Sequence, residues 1–221
     1  THHTLRVILL GGEFIPMALI GACEKKSLPI YKTYGMTETF SQSVTFSVLD
    51  YPHKRDSVGK PLPGMQIRID SPDADGVGEI HLTGPMVMTG YIGKEPIDGD
   101  LNTDDIGYVD EDGFVYILNR RKDLIISGGE NIYPKELEDL VYTLPSVKEC
   151  AVVPVSDPKW GQVPALFVAF HDGESMTSDE ILSFMTQSLA KYKIPKYVKI
   201  LPALPRNGTG KIVRNELRLE D

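Results

Sequence analysis

Leu5-Arg6-Val7-Ile8-Leu9-Leu10-Gly11-Gly12 is an apolar run stopped by two glycines, and it reads as a buried strand. A helix is predicted from about Pro16 to Lys26, followed by a second strand around Pro29-Ile30-Tyr31-Lys32. Strand, helix, strand makes a parallel α/β unit, and such units collect ligands beyond the C-terminal ends of their strands. The second strand leads directly into Tyr34-Gly35-Met36-Thr37-Glu38, which is therefore expected at such an end.

The texture changes from about Pro52 to Leu118. Met65-Gln66-Ile67-Arg68-Ile69, Gly78-Glu79-Ile80-His81-Leu82 and Gly113-Phe114-Val115-Tyr116-Ile117 alternate in polarity between Gly, Pro and Asp breaks. This pattern predicts a small, mostly antiparallel β subdomain, with a hairpin turn at Asp110-Glu111-Asp112-Gly113. That turn lacks the further oxygen ligands of a calcium loop. Charge then interrupts two apolar strands at Asn119-Arg120-Arg121-Lys122-Asp123, where a boundary is placed. Beyond it, Pro134 suits a first helical turn, and Leu137, Leu140, Val141 and Leu144 form a helical stripe. Strands are predicted at 150–155, 165–170 and 197–201. A helix should start at Thr177, with Glu180 completing a capping box. The predicted fold class is α/β plus α+β.

Composition narrows the function. The chain is 41% apolar and 24% charged, as in soluble globular proteins, and its net charge of −8 disfavours nucleic-acid partners. The cluster Lys191, Lys193, Lys196 and Lys199 reads as a solvated helix end. Cys23 and Cys150 form no CxxC pair, which points to a reducing, cytoplasmic compartment. The five histidines lack metal-ligand spacing, so zinc is not expected. No apolar run reaches membrane-spanning length, so no integral membrane segment is expected. Thr1 is not a natural start, and the sequence is expected to be a fragment or a processed piece.

Tyr34 offers a flat face for stacking, Gly35 permits close backbone approach, and Thr37 can bond a phosphate oxygen. Glu38 is a hard oxygen ligand suited to Mg²⁺. Taken alone, these five residues equally suit a strand-to-loop turn with a capping threonine. Far downstream, Pro205-Arg206-Asn207-Gly208-Thr209-Gly210-Lys211 reads as a flexible glycine loop presenting one lysine. It is not a phosphate loop of the GxxxxGK[ST] type, because Ile212 follows Lys211.

These motifs, with Thr103-Asp104-Asp105-Ile106-Gly107 and Asp123-Leu124-Ile125-Ile126-Ser127-Gly128-Gly129-Glu130-Asn131-Ile132-Tyr133-Pro134, occur in an order that resembles the adenylate-forming acyl-CoA synthetase superfamily. Trp160-Gly161-Gln162-Val163-Pro164 and Ser41-Gln42 extend the likeness towards the 2-succinylbenzoate–CoA ligases of menaquinone biosynthesis. The resemblance implies a ligase using ATP, CoA and Mg²⁺ on a small-molecule carboxylic acid. It implies that Tyr34 and Gly35 hold adenine, and that Asp105 and Arg120 hold ribose. Thr37 and Glu38 would serve phosphate and metal, and Lys211 would serve adenylation. Lys122 would be a hinge, and Gly128 and Gly129 would line the pantetheine tunnel. The implied domains are 1–51, the end of a large adenylate-binding α/β domain; 52–119, a β-rich subdomain; 120–122, the hinge; and 123–221, a mobile C-terminal α+β domain. Gly11-Gly12-Glu13 and Thr39–Ser43 would edge the acyl pocket.

The chain departs from the family pattern at Asp104 and Asn119, where glycine is usual. The first turn is expected to differ, and the second to survive because Asn tolerates a left-handed conformation. The family's upstream Ser/Thr/Gly-rich phosphate loop is not in this sequence, so the 221 residues alone are expected to be inactive. Two rivals remain: a ligase for another acid, including an amino-acid-adenylating domain, and a non-catalytic AMP-binding or assembly piece. A truncated sheet edge would also invite association, for example as a homo-oligomer.

Overall fold

The computed structural model describes residues 4–12 and 15–219, so Glu13 of the expected pocket edge lies outside the described residues. It divides into two compact units, Thr1–Arg121 and Lys122–Asp221.

In the first unit, β1 (Ile8–Leu10), α1 (Met17–Glu24) and β2 (Ile30–Met36) form the expected parallel pair, with Ile8 opposite Ile30. Both strand limits differ from expectation: β1 is shorter, and β2 runs on through Tyr34. The extension follows from β3 (Ser41–Ser47), an antiparallel partner the sequence did not announce, which pairs β2 as far as Met36. The short β4 (Lys60–Pro61) completes the order β1-β2-β3-β4. A second sheet of β5 (Gln66–Asp70), β6 (Gly78–Thr83), β7 (Leu101–Val109) and β8 (Val115–Arg120) is antiparallel throughout. The Asp110 turn is the expected hairpin: Gly113 N–H donates to Asp110 O at 2.9 Å, and Phe114 N–H to Asp110 Oδ1 at 2.8 Å. Val44, Ile80 and Val115 form a core shared by the two sheets, while Ile20 of α1 packs on Ile30, Phe46, Val48 and Phe114.

The second unit has a sheet ordered β10-β9-β12-β11, made of β9 (Ile125–Ser127), β10 (Glu130–Ile132), β11 (Val147–Asp157) and β12 (Gly161–Phe170). β13 (Tyr197–Ile200) adds to β12 in parallel. β11 and β12 are apolar on both faces. Cys150, Val152, Leu166 and Val168 face Leu137 and Val141 of α2 (Pro134–Val141) and Ile181 and Met185 of α3 (Ser178–Thr186). Ala151, Val153, Ala165, Phe167 and Ala169 face the C-terminal segment through Leu204 and Leu217. Pro134 opens α2, and the Thr177–Glu180 capping box opens α3, both as expected.

The two departures from glycine resolve differently. Asp104 lies within β7 at φ 58°, so the left-handed turn survives the side chain, helped by its N–H donating to Asn102 Oδ1 at 2.8 Å. Asn119 is not left-handed. It sits in β8 opposite Ile106, and its buried Nδ2 has no partner. The irregularity falls one residue earlier, where pairing jumps from Asn119 to Ile117 and leaves Leu118 as a bulge. Because an L-residue in the left-handed region costs about 1–2 kcal/mol, less for Asp, Asp104→Gly is expected to stabilise the first unit by about 0.5–1 kcal/mol. Urea denaturation checks this, and a loss of stability would mean the carboxylate contributes more than its conformation costs.

Candidate functional site

The register of β7 and β8 sets Asp105 directly opposite Arg120, with Arg120 Nε 3.3 Å from Asp105 Oδ1. From the other sheet, Tyr34 reaches the same carboxylate: its hydroxyl donates to Oδ2 at 2.6 Å. Asp105 is only 3% exposed, whereas the Arg120 side chain is half-exposed. Thr103 supports the strand by donating to Ile80 O at 2.8 Å and accepting from Asp105 N–H at 3.2 Å. Burial, followed by the Asp105 charge, holds the Tyr34 phenol far above its ordinary pKa. Gly35 has a specific cause. A Cβ there would lie 1.8 Å from Ser41 O, so the close approach it permits is that of β3.

Thr37–Thr39 makes one 3-10 turn past the end of β2. The buried Thr39 hydroxyl anchors it, accepting from Met36 N–H at 3.1 Å, and Phe40 closes it at φ 62°. The Glu38 carboxylate accepts the hydroxyl proton of Tyr91, and Met88 N–H donates to Glu38 O at 2.8 Å. Tyr91's hydrogen bond is the main reason Glu38 titrates below its usual range. No role for Tyr91 was legible in the sequence, because nothing local signals a partner 53 residues away.

Among the described residues no three His, Cys, Asp or Glu side chains cluster as a metal cage. A single carboxylate such as Glu38 nevertheless suits Mg²⁺, which is commonly held by one or two carboxylates with substrate phosphates and waters.

The remaining predicted residues belong to the second unit or its border. Lys122 is exposed in a 3-10 turn spanning Arg121–Asp123. Gly128 and Gly129 join β9 to β10 at φ 60° and 92°, a two-residue turn with both φ values positive, of type I′ character. Gly128 N–H donates to Trp160 O at 2.9 Å, and a Cβ at Gly128 would meet the Trp160 ring at 2.7 Å. A Cβ at Gly129 would meet open space. Lys211 is exposed on the expected glycine loop, which carries hydrogen bonds of its own. Asn207 Oδ1 accepts from Thr209 N–H at 3.0 Å and from Lys211 N–H at 2.9 Å, so one side chain ties the turn.

Two sequence families match in chain order: AMP-binding enzyme over residues 1–92, and AMP-binding enzyme C-terminal domain over residues 136–211. The chain belongs to the AMP-binding enzymes. It is 58% identical over 98% of its length to a 2-succinylbenzoate–CoA ligase of Lactococcus lactis, and covers 47% of that relative. A Bacillus cereus ligase of the same name is 48% identical over 97% of the chain, and the chain covers 46% of that relative. The chain thus spans about half the length of the curated relatives it matches. Its fold matches the Bacillus subtilis o-succinylbenzoate CoA synthetase in complex with its acyl-adenylate intermediate. There the TM-score is 0.89 at 41% identity, covering 100% of this chain and 47% of that one. The same enzyme in complex with ATP and magnesium gives a TM-score of 0.85 at 42% identity, covering 96% and 46%.

The Tyr34–Asp105 bond makes a pH prediction. A phenol held neutral in the native state contributes stability that is complete below the unfolded pKa of about 10 and is lost as pH rises above it. Tyr34→Phe should cost about 1.5–3 kcal/mol at neutral pH, through the lost bond to a carboxylate. That difference should shrink above about pH 10, because only the wild type must keep this phenol protonated in order to fold. Denaturation curves of both proteins across that range are the check; a gap that stays constant would mean Tyr34 titrates freely.

Proposed function

We propose that the chain is part of an ATP-dependent acid–CoA ligase that works through an acyl-adenylate, with 2-succinylbenzoate as the acid. The observation that carries this is the buried Asp105 carboxylate held between Tyr34 and Arg120, in a chain 58% identical to a 2-succinylbenzoate–CoA ligase. A carboxylate is a poor electrophile. Joining it to AMP supplies a good leaving group, which a thiol then displaces.

Asp105 accepts hydrogen bonds from the ribose hydroxyls. An ionised carboxylate can accept several hydrogen bonds at once, from hydroxyls as well as from a guanidinium. Arg120, half-exposed, reaches the ribose from the same strand pair. Tyr34 and Gly35 face the adenine, and the Thr37 hydroxyl bonds a phosphate oxygen. Glu38 holds Mg²⁺, which when bound offsets phosphate charge. Lys211 brings a point charge to the acid carboxylate and the α-phosphate during adenylation.

Residues 120–122, around Lys122, act as a hinge between the first 119 residues and the domain 123–221. That domain first presents Lys211 and then the Gly128-Gly129 turn, where Gly128 packs against Trp160 and Gly129 leaves open space for a thin thiol arm. The chain spans about half the length of its curated relatives, and the activity proposed is that of the full-length ligase. The setting is the cytoplasm, where ATP and CoA are available and Cys23 and Cys150 stay free. Among the described residues no helix is long and apolar enough to cross a membrane.

In the full-length ligase, pyrophosphate release should depend on 2-succinylbenzoate and exceed that with other aryl or fatty acids. Faster turnover with another acid would replace the substrate. Lys211→Ala should abolish adenylation and spare thioester formation from preformed adenylate. Gly129→Leu should show the reverse selectivity, beyond a conformational cost of about 1–2 kcal/mol at its positive φ. Equal loss in both half-reactions would remove either assignment.

A further inference from the structure

Lys211 sits between two buried carboxylate–arginine clamps. Before it, Arg206 grips Glu149 of β11: Nε donates to Oε2 at 3.1 Å, a second guanidinium nitrogen donates to the same oxygen, and a third donates to Gly210 O. The other Glu149 oxygen accepts from Leu204 N–H at 3.0 Å. After it, Arg214 makes a paired contact with Glu138 of α2 and donates to Val152 O at 2.9 Å. Between the clamps, Asn207 closes the turn. Its Oδ1 takes the two amides at Thr209 and Lys211 and the Thr209 hydroxyl, while its own N–H donates to Lys211 O at 2.9 Å.

Glu149 is 5% exposed, and burying a carboxylate is costly unless it is fully paired. A β-bulge makes its placement possible. The register of β11 on β12 shifts between Val147 and Glu149. Val147 therefore joins the core under the helices, while Glu149 takes the side of Ala151 and Val153, over which the C-terminal segment runs. An unbulged strand would point Val147 and Glu149 to one face.

We propose that Asn207, together with the Arg206–Glu149 pair, positions Lys211 for adenylation by fixing the backbone from which the lysine projects. This rests on the adenylation role of Lys211 given above. A displacement of about 1 Å at a reacting group can cost roughly 100-fold in rate, so a lysine on an untied glycine turn would lose much of its effect. The turn itself is exposed, and its replacement leaves both cores of the second unit untouched.

The test separates the half-reactions in the full-length ligase, using Asn207→Ala, Asn207→Asp, Glu149→Gln and Lys211→Ala in parallel. Asn207→Ala should slow adenylate formation by roughly 100-fold and leave thioester formation from preformed adenylate unchanged. Asn207→Asp, which keeps the acceptor oxygen, should recover most of the loss. The double variant Asn207→Ala/Lys211→Ala should be no slower than Lys211→Ala alone, because the two residues act as one unit. Glu149→Gln should mimic Asn207→Ala where it folds; the Asn207 pair decides the matter where it does not. Normal adenylation by Asn207→Ala beside an inactive Lys211→Ala would overturn the positioning role alone. Equal loss in both half-reactions would overturn it in favour of a general structural role. Normal adenylation by Lys211→Ala would overturn both this inference and the functional reading beneath it.

Discussion

Burial of the Asp105 carboxylate is the constraint on which the first unit depends. A buried charge without partners is strongly unfavourable, and Asp105 takes its partners from two different sheets. Arg120 arrives by the β7–β8 register, and Tyr34 arrives on β2. If β2 slipped by one residue, Tyr34 would point to the opposite face and the carboxylate would lose its phenol. The bond therefore ties the relative position of the two sheets. Gly35, which lets β3 approach, and the apolar contacts of Val44, Ile80 and Val115 serve the same junction.

The second unit uses the same device twice, with longer reach. Glu138 and Glu149 are both buried, and both are held by arginines of the C-terminal segment. Among its described residues that segment has little regular structure of its own, an isolated bridge between Arg206 and Ile212 and a 3-10 turn at Arg214–Glu216. Leu204 and Leu217 supply apolar burial, but nothing in that burial specifies where a turn between them should point. Charged pairs with defined hydrogen-bond geometry supply the direction.

This explains what was legible in the sequence and what was not. Periodic elements were legible: the Leu137–Val141 stripe, the Thr177 cap, and the alternation of β5, β6 and β8. Their signals are local, set by side chains three or four apart on a helix or two apart on a strand. β3 was hidden because Ser41, Gln42, Ser43 and Thr45 dilute its apolar pattern, and its stability comes from pairing with β2. The turn at Lys211 looked flexible because glycines are visible in a sequence and the reach of an Asn side chain is not. Tyr91 was missed for the same reason, since its partner lies in another element. Asn119 misled differently: its tolerance of left-handed backbone is real, but the strand pairing moved the irregularity to Leu118.

The partners of the two carboxylates in the first unit separate their chemistry. Asp105 is buried and matched by a guanidinium, so its charge is largely answered within the protein. A carboxylate matched in this way suits neutral hydroxyl donors better than a cation. Glu38 is oriented by a phenol, and a neutral hydrogen bond fixes direction without cancelling charge. Tyr91 even lowers its pKa, which keeps it ionised. An arginine in place of Tyr91 would orient Glu38 as firmly and leave it much less able to attract a cation. A divalent ion beside a polyphosphate needs an oriented carboxylate whose charge has not been spent. Of the two, Glu38 meets both conditions, and this physical distinction supports the proposal that the metal belongs at Glu38 and the ribose at Asp105.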